Sequence, residues 1–284
     1  MPTPFNFKST FRGQMASLVE AAVRMPAMQH VVGVLPLPAR FKQRVPPVGP
    51  SRVKAPNGEH FIYVADRRDM MARKIVWDAL RTWERSTVDF ISTRCRTSAV
   101  LWDLGAYTGI YSLLGCAVNP NLRVVAFEPV PDHVGWLRKN LEANCYSERV
   151  QVVEAAVSPI GNNVEIVLVN DDITASGIDV ERPGRRLTVG TVRLDAFVPL
   201  PDIIKIDVEG HEVDALSTAS MDCWEHGPDV VAECLNDEAL RRFRKFIEPL
   251  GYVIYHLGPN GPVPLDDGFK VPTLWANFLA TKRN

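Results

Sequence analysis

From Ser98 to the C-terminus, short apolar runs alternate with segments of helical periodicity, and no other feature restricts the fold as much. "AVLWDLG", "RVVAFEP" and "VQVVEAAVS" read as strands. "TGIYSLLGCAV" and "PDHVGWLRKNLEAN" lie between them and read as helices, the second with Asp132 placed to cap it. Strands that are apolar throughout need cover on both faces. Strand–helix repetition of this kind predicts an α/β fold with a doubly wound, mostly parallel sheet.

The rhythm breaks at "NVEIVLVN" and "RLTVGTVRLDAF", which flank a polar loop containing Asp171, Asp172, Ser176 and Gly177. Two strands without a helix between them predict a β-hairpin inserted at the sheet's rim. Alternation resumes with "DIIKIDVEG", a helix over His211–Ser217, "DVVAECL" and the helix "DEALRRFRKFIEPLG", ended by Gly251. "YVIYHLG" and "LWANFLATK" are expected to pair antiparallel at the sheet's edge. Residues 1–67 form an N-terminal extension ahead of the main domain, 68–284. The extension carries a helical pattern over Gly13–Met25, the proline-rich "VLPLPARFKQRVPPVGP", and a tight hairpin turn at Asn57-Gly58. Arg68–Ser92 reads as two helices leading into the domain.

Composition excludes several classes. Lys and Arg total 32 against 33 for Asp and Glu, so there is no basic footprint for nucleic acid or an anionic membrane. No apolar run approaches the ~18 residues of an integral membrane segment. Lys8 and Arg12 precede an apolar stretch as in a signal peptide, but Glu20 and Arg24 interrupt it. Cys95, Cys116, Cys145, Cys223 and Cys234 are scattered and never spaced C-x-x-C, which argues against a zinc site and a disulfide framework. A reducing, cytoplasmic location is expected.

"VLWDLGAYTGIYSLLG" is where chemistry is expected. A strand that ends in glycines and enters a helix presents main-chain N–H groups and the helix's positive end to a ligand. A dinucleotide fingerprint has G-x-G-x-x-G, whereas this turn reads Gly105-Ala106-Tyr107-Thr108-Gly109 and lacks the middle glycine. Asp103 stands just before it; a carboxylate there repels a pyrophosphate and attracts an ammonium. Glu128 ends the second strand about 20 residues on, placed to accept hydrogen bonds from ribose hydroxyls. A nucleoside with an amino-acid tail satisfies both acids, and S-adenosylmethionine is such a molecule.

"DLGAYTGIYSLL", "VVAFEPVPDHVGWLRKNLEAN", "VEAAVSP" and "PDIIKIDVEGHEVDAL" together resemble the successive motifs of the FkbM-type methyltransferases, from about Trp77 to the C-terminus. "KIDVEGHE" is the most specific piece. The resemblance implies a class I S-adenosylmethionine-dependent enzyme that methylates hydroxyls of sugars, glycolipids or other natural products, on a seven-stranded sheet with a reversed last hairpin. It implies that Asp103, Gly105 and Gly109, with Ala106, Tyr107 and Thr108 in the loop, hold the methionine end. Glu128 and Pro129 then lie by the ribose, and Ala155 and Ala156 by the adenine. Many members have Asn where this chain has Tyr107.

Methyl transfer to a hydroxyl gains from near-attack positioning and from a general base. Candidates follow the fourth strand: Asp207, Glu209, His211 and Glu212, with Glu233 ending the next one. If the strand runs through "KIDVE", Asp207 and Glu209 share a side, and Asp207 faces the cofactor cleft. Asp207 is the preferred base, because an acid among "IIKI" is costly without a partner; Glu209, Glu233 and His211 follow. Glu212 reads as an ordinary first-turn acid. Asp207, Glu209 and Glu233 are a conceivable divalent-metal set, but carboxylates at a rim are weak grounds for one, and no metal ligand is assigned. The other readings are an N-methyltransferase acting on peptide or small-molecule nitrogen and a nicotinamide-dependent oxidoreductase. Asp103 and the missing glycine oppose the second of these.

Overall fold

The computed structural model describes residues 47–284 except 68, 79, 82, 169–175, 178–183, 267, 273, 274 and 284. The helix expected over Gly13–Met25, most of the proline-rich stretch, and Asp171 and Asp172 lie outside the described residues.

The main sheet has eight strands: β3 (Val100–Leu104), β4 (Arg123–Phe127), β5 (Val150–Val153), β10 (Ile203–Ile206), β11 (Asp229–Cys234), β12 (Val253–Gly258), β13 (Gly261–Pro264) and β14 (Ala276–Thr281). Their order is β13-β12-β14-β11-β10-β3-β4-β5. The run from β11 to β5 is parallel, and β14 is antiparallel to both β11 and β12. After β3 the chain winds outward through β4 and β5, then returns to the other side of β3 as β10. The crevice between β3 and β10 is therefore the topological switch point, where open α/β sheets bind ligands. The expected seven strands become eight because Gly261–Pro264 adds an edge strand, a place where Pro262 and Pro264 are tolerated.

Neighbouring side chains on each parallel strand enter opposite cores. Leu101, Val124, Ile203 and Val231 pack with helices α1 (Arg85–Cys95), α2 (Ile110–Val118) and α3 (Pro131–Ala143). Trp102, Val125, Ile204 and Val230 pack with α4 (Glu212–Leu216), α5 (Met221–His226) and α6 (Asp237–Ile247).

Four local readings are corrected. "VQVVEAAVS" is not one strand: β5 ends at Val153, and β6 (Ala156–Val157) joins a second sheet. That sheet has the order β6-β9-β7-β8, with β7 at Asn163–Leu168, β8 at Ser176–Gly177 and β9 at Arg185–Val192, so the insertion is larger than a hairpin. Asp132 does not cap α3. Val130 occupies that position, Pro131 starts the helix, and Glu128 accepts the Val130 N–H at 3.0 Å. Finally, β10 stops at Ile206, and the next residues to turn, Glu209 and Gly210, have φ of 55° and 98°. Asp207 and Glu209 therefore do not share the face of a strand.

The hairpin turn at Asn57-Gly58 joins β1 (Gly49–Lys54) to β2 (His60–Ala65). Val53, Phe61, Tyr63 and Ala65 of this ribbon are buried in the same core as α1, α2 and α3. Its free edge is capped by two asparagines one helical turn apart, Asn140 on α3 and Asn144 at its C-terminal cap. Asn144 accepts the Ile62 N–H and donates to the Ile62 carbonyl, at 2.6 and 2.7 Å. Asn140 accepts the Val64 N–H at 2.6 Å and donates to the Thr108 carbonyl at 2.9 Å. Four residues of helix rise about 6 Å and two of strand about 6.6 Å, so the spacings match. Asn140→Leu should strand the Val64 N–H and the Thr108 carbonyl and lower stability by about 1–3 kcal/mol for each group. Urea denaturation checks this.

Candidate functional site

A cavity of about 360 Å³ opens over the β3–β10 crevice. It gathers almost every residue singled out from the sequence: Asp103 and Gly105 to Thr108 after β3, Glu128 and Pro129 after β4, Ala155 and Ala156 after β5, Asp207, Glu209 and His211 after β10, and Glu233 on β11. Gly109 is not in its lining. At φ 90° Gly109 starts α2, and a Cβ there would lie 2.3 Å from a Leu137 methyl on α3. A Cβ on Gly105, at φ 76°, would lie 1.9 Å from the Asp207 carbonyl oxygen. The chain's own packing thus demands both glycines.

Asp103 and Glu128 are already engaged within the protein. Buried Asp103 accepts the Ser112 N–H at 3.0 Å and its hydroxyl at 2.6 Å, fixing the start of α2. Burial lifts the Asp103 carboxyl to about 6, against the pull of those bonds. One oxygen of Glu128 accepts the Tyr107 N–H at 2.9 Å. The other accepts from Val130 and faces His133 Nδ1 at 3.0 Å. A carboxylate offers about four acceptor positions, so Glu128 retains capacity for a ligand hydroxyl.

The loop is braced from the N-terminal side. Tyr63 donates to Asp69 at 2.6 Å and stands 2.6 Å from the Thr108 hydroxyl, which therefore donates to it. Asp69 in turn caps a helical turn at Met70–Ala72 by accepting from Met71 and Ala72. That turn continues as a π-turn, Arg73–Trp77, and Met71, Lys74 and Ile75 from it reach the cavity.

At the other end Asp207 and Glu233, both candidates from the sequence, are joined by Glu84, which the sequence did not announce. Glu84, Asp207 and Glu233 each bring a carboxylate oxygen to within 4.8 Å of the others. Lys205 is buried in β10 with its ammonium 3.8 Å from Asp207 and 5.4 Å from the Tyr111 ring. Burial alone would lower the Lys205 ammonium; Asp207, Glu84, Glu233 and Asp103 outweigh it, so Lys205 is held above its ordinary value and stays charged. Glu84 takes a hydrogen bond from Tyr111 and another from Asn277. Glu233 is pushed up to about 9, first by burial and then by Asp207. Trp83 and Trp275 line the same cavity, and Trp275 is 40% exposed. Of these additions only Lys205 left a trace, as a charge inside the apolar "IIKI". His211 lies 3.4 Å from Asp214, and Glu212 is tied to the Gly210 N–H at 2.9 Å.

A doubly wound sheet with acids at neighbouring strand ends around a glycine turn defines a nucleoside-cofactor enzyme of the α/β class. The sequence matches the methyltransferase FkbM domain over residues 103–254. The chain belongs to that family, and S-adenosylmethionine is the cofactor that goes with this membership. It is 27% identical over 140 residues to the hexuronic acid methyltransferase AglP of Haloferax volcanii, spanning 47% of this chain and about half, 55%, of that relative. A solved FkbM methyltransferase from Methylobacillus flagellatus is similar at 18% identity and a TM-score of 0.43, over 64% of this chain and 43% of that one. An O-methyltransferase from Thermotoga maritima is similar at 17% identity and 0.42, over 82% and 78%. Among the described residues no helix is long and apolar enough to cross a membrane.

The pH dependence of stability reports on the cluster. Folding raises Glu233 above its unfolded value, so the stability it contributes at low pH is lost as pH climbs toward about 9. Glu233→Gln should therefore flatten the fall in Tm between pH 5 and about 9, the variant gaining on the wild type by about 2–4 °C per kcal/mol recovered. Thermal scans across that range read it out.

Proposed function

We propose that this protein is an S-adenosylmethionine-dependent O-methyltransferase acting on a hydroxyl of a sugar, glycolipid or other natural product. One observation carries the reading: a single cavity holds the glycine turn with Asp103 and Glu128 at one end and the Glu84–Asp207–Lys205–Glu233 cluster at the other. The residues fit the cofactor by the chemistry of their donors and acceptors. Glu128 has acceptor capacity left for ribose hydroxyls, Ala155 and Ala156 offer an apolar wall, and the buried carboxylates favour a cation. The bound cofactor would supply an electrophilic methyl group on a sulfonium.

The chain's own residues would do the rest. Asp207 pairs with Lys205, while Glu233 and Asp207 offer carboxylate oxygens to the acceptor's proton. Trp83 and Trp275 give the cavity flat apolar faces of the kind that pack on a sugar ring. AglP is named for a hexuronic acid substrate, which supports a sugar acceptor here.

Calorimetry should show binding of S-adenosylmethionine and of its demethylated product S-adenosylhomocysteine, with none for NAD; preferential binding of NAD sinks the proposal. Glu128→Ala should weaken the nucleosides by about 1–3 kcal/mol. Transfer of a labelled methyl group to a panel of glycosides tests the acceptor. Label on hydroxyl oxygen supports the reading, and label confined to amines overturns it.

A further inference from the structure

We propose that Glu233 is the proton acceptor of the reaction and that the cofactor's own charge arms it. In the cofactor-free cavity Glu233 keeps its proton; it gives this to solvent when the sulfonium arrives, and takes the acceptor's hydroxyl proton during transfer. The proposal rests on the methyltransferase reading and goes beyond it by fixing when the proton leaves.

Geometry sets which acid is protonated. Glu84, Asp207 and Glu233 crowd one ammonium, Lys205, so they cannot all be ionised together. Asp207 has Lys205 beside it, and Glu84 has Tyr111 and Asn277 as donors. Glu233 is only 8% exposed, lines the cavity, and among the described residues receives no hydrogen bond. It faces Lys205 on β10, Asp207 and Glu209 beyond that strand, and Glu84 ahead of α1; its register partner on β14 is the neutral Asn277. The least supported carboxylate holds the proton. Its shift to about 9, caused first by burial and then by Asp207, agrees.

The order of strand ends places the added charge. Along the carboxyl edge run Ala155 and Ala156, Glu128, the Gly105 turn, Asp207 and then Glu233. With the ribose at Glu128 and the amino-acid tail at the turn, the sulfonium comes to the cluster's side of the cavity. A positive charge there favours ionised Glu233. In the transfer, the acceptor's O–H proton passes to Glu233 as its oxygen bonds to the methyl carbon. The carbon–sulfur bond breaks, and its electron pair stays on sulfur, now a neutral thioether. The site is left with one positive charge fewer and Glu233 protonated again, so the reaction's net proton departs at cofactor binding.

Titration calorimetry of the full chain with S-adenosylmethionine and S-adenosylhomocysteine, in two buffers of different ionisation enthalpy near neutral pH, decides the matter. The sulfonium should release about one proton more than the thioether. Its affinity should rise by up to about tenfold per pH unit below the Glu233 titration, while that of the thioether stays flat. Glu233→Gln should erase the difference. Equal proton counts overturn the proposal, as does a difference that survives in Glu233→Gln. Should that variant fail to fold, the two wild-type pH profiles decide, and parallel profiles reject it. If neither nucleoside binds, the methyltransferase reading itself falls, which is a separate result.

Discussion

The carbonyl oxygen of Asp207 sits where a side chain on residue 105 would begin. This contact fastens the carboxyl ends of β3 and β10 together at the one point in the sheet where the chain departs in opposite directions. The Asp207 N–H completes it, bonding to the Leu104 carbonyl at 3.0 Å. On the other flank the Phe127 carbonyl accepts from both Gly105 and Ala106, each at 3.0 Å. Three strand ends are thereby tied through main-chain groups, and the glycine turn and the acidic cluster become one rigid piece. A ligand held by the turn would meet the carboxylates without a hinge between them.

On that frame the cavity sets acids in unlike surroundings. Asp103 and Glu128 are held by main-chain N–H groups and by Ser112 and His133, whereas Glu233 receives no hydrogen bond among the described residues and faces Asp207, Lys205, Glu84 and Glu209. Backbone strain concentrates in the same place: Glu84, Tyr107 and Glu209 have φ of 42°, 51° and 55°, and all three line the cavity. Tyr107 holds a left-handed conformation in which Asn would be more at ease.

The alternation after Ser98 made the parallel sheet legible, because buried strands must be apolar on both faces. The glycine turn and the acids at Asp103, Glu128 and Glu233 were legible for the same reason, each being a polar residue that ends an apolar run. Other features depend on contacts that no local pattern encodes. Glu84 reaches the cluster from a loop ahead of α1, and nothing in "RTWERS" marks it. Asn140 and Asn144 look like the ordinary solvated side of a helix until β2 is laid against them. The split at Glu154 arises because β5 and β6 pair in different sheets, a choice made by their partners.

The decisive measurement is a crystal structure of the chain with S-adenosylhomocysteine. The adenosine should lie between Ala155–Ala156 and Glu128, with the ribose hydroxyls on the Glu128 carboxylate, the amino-acid tail on the Gly105–Thr108 turn and the sulfur toward Glu233. A nucleoside bound elsewhere, or one lying in the crevice with Glu128 turned away from its ribose, would contradict this arrangement.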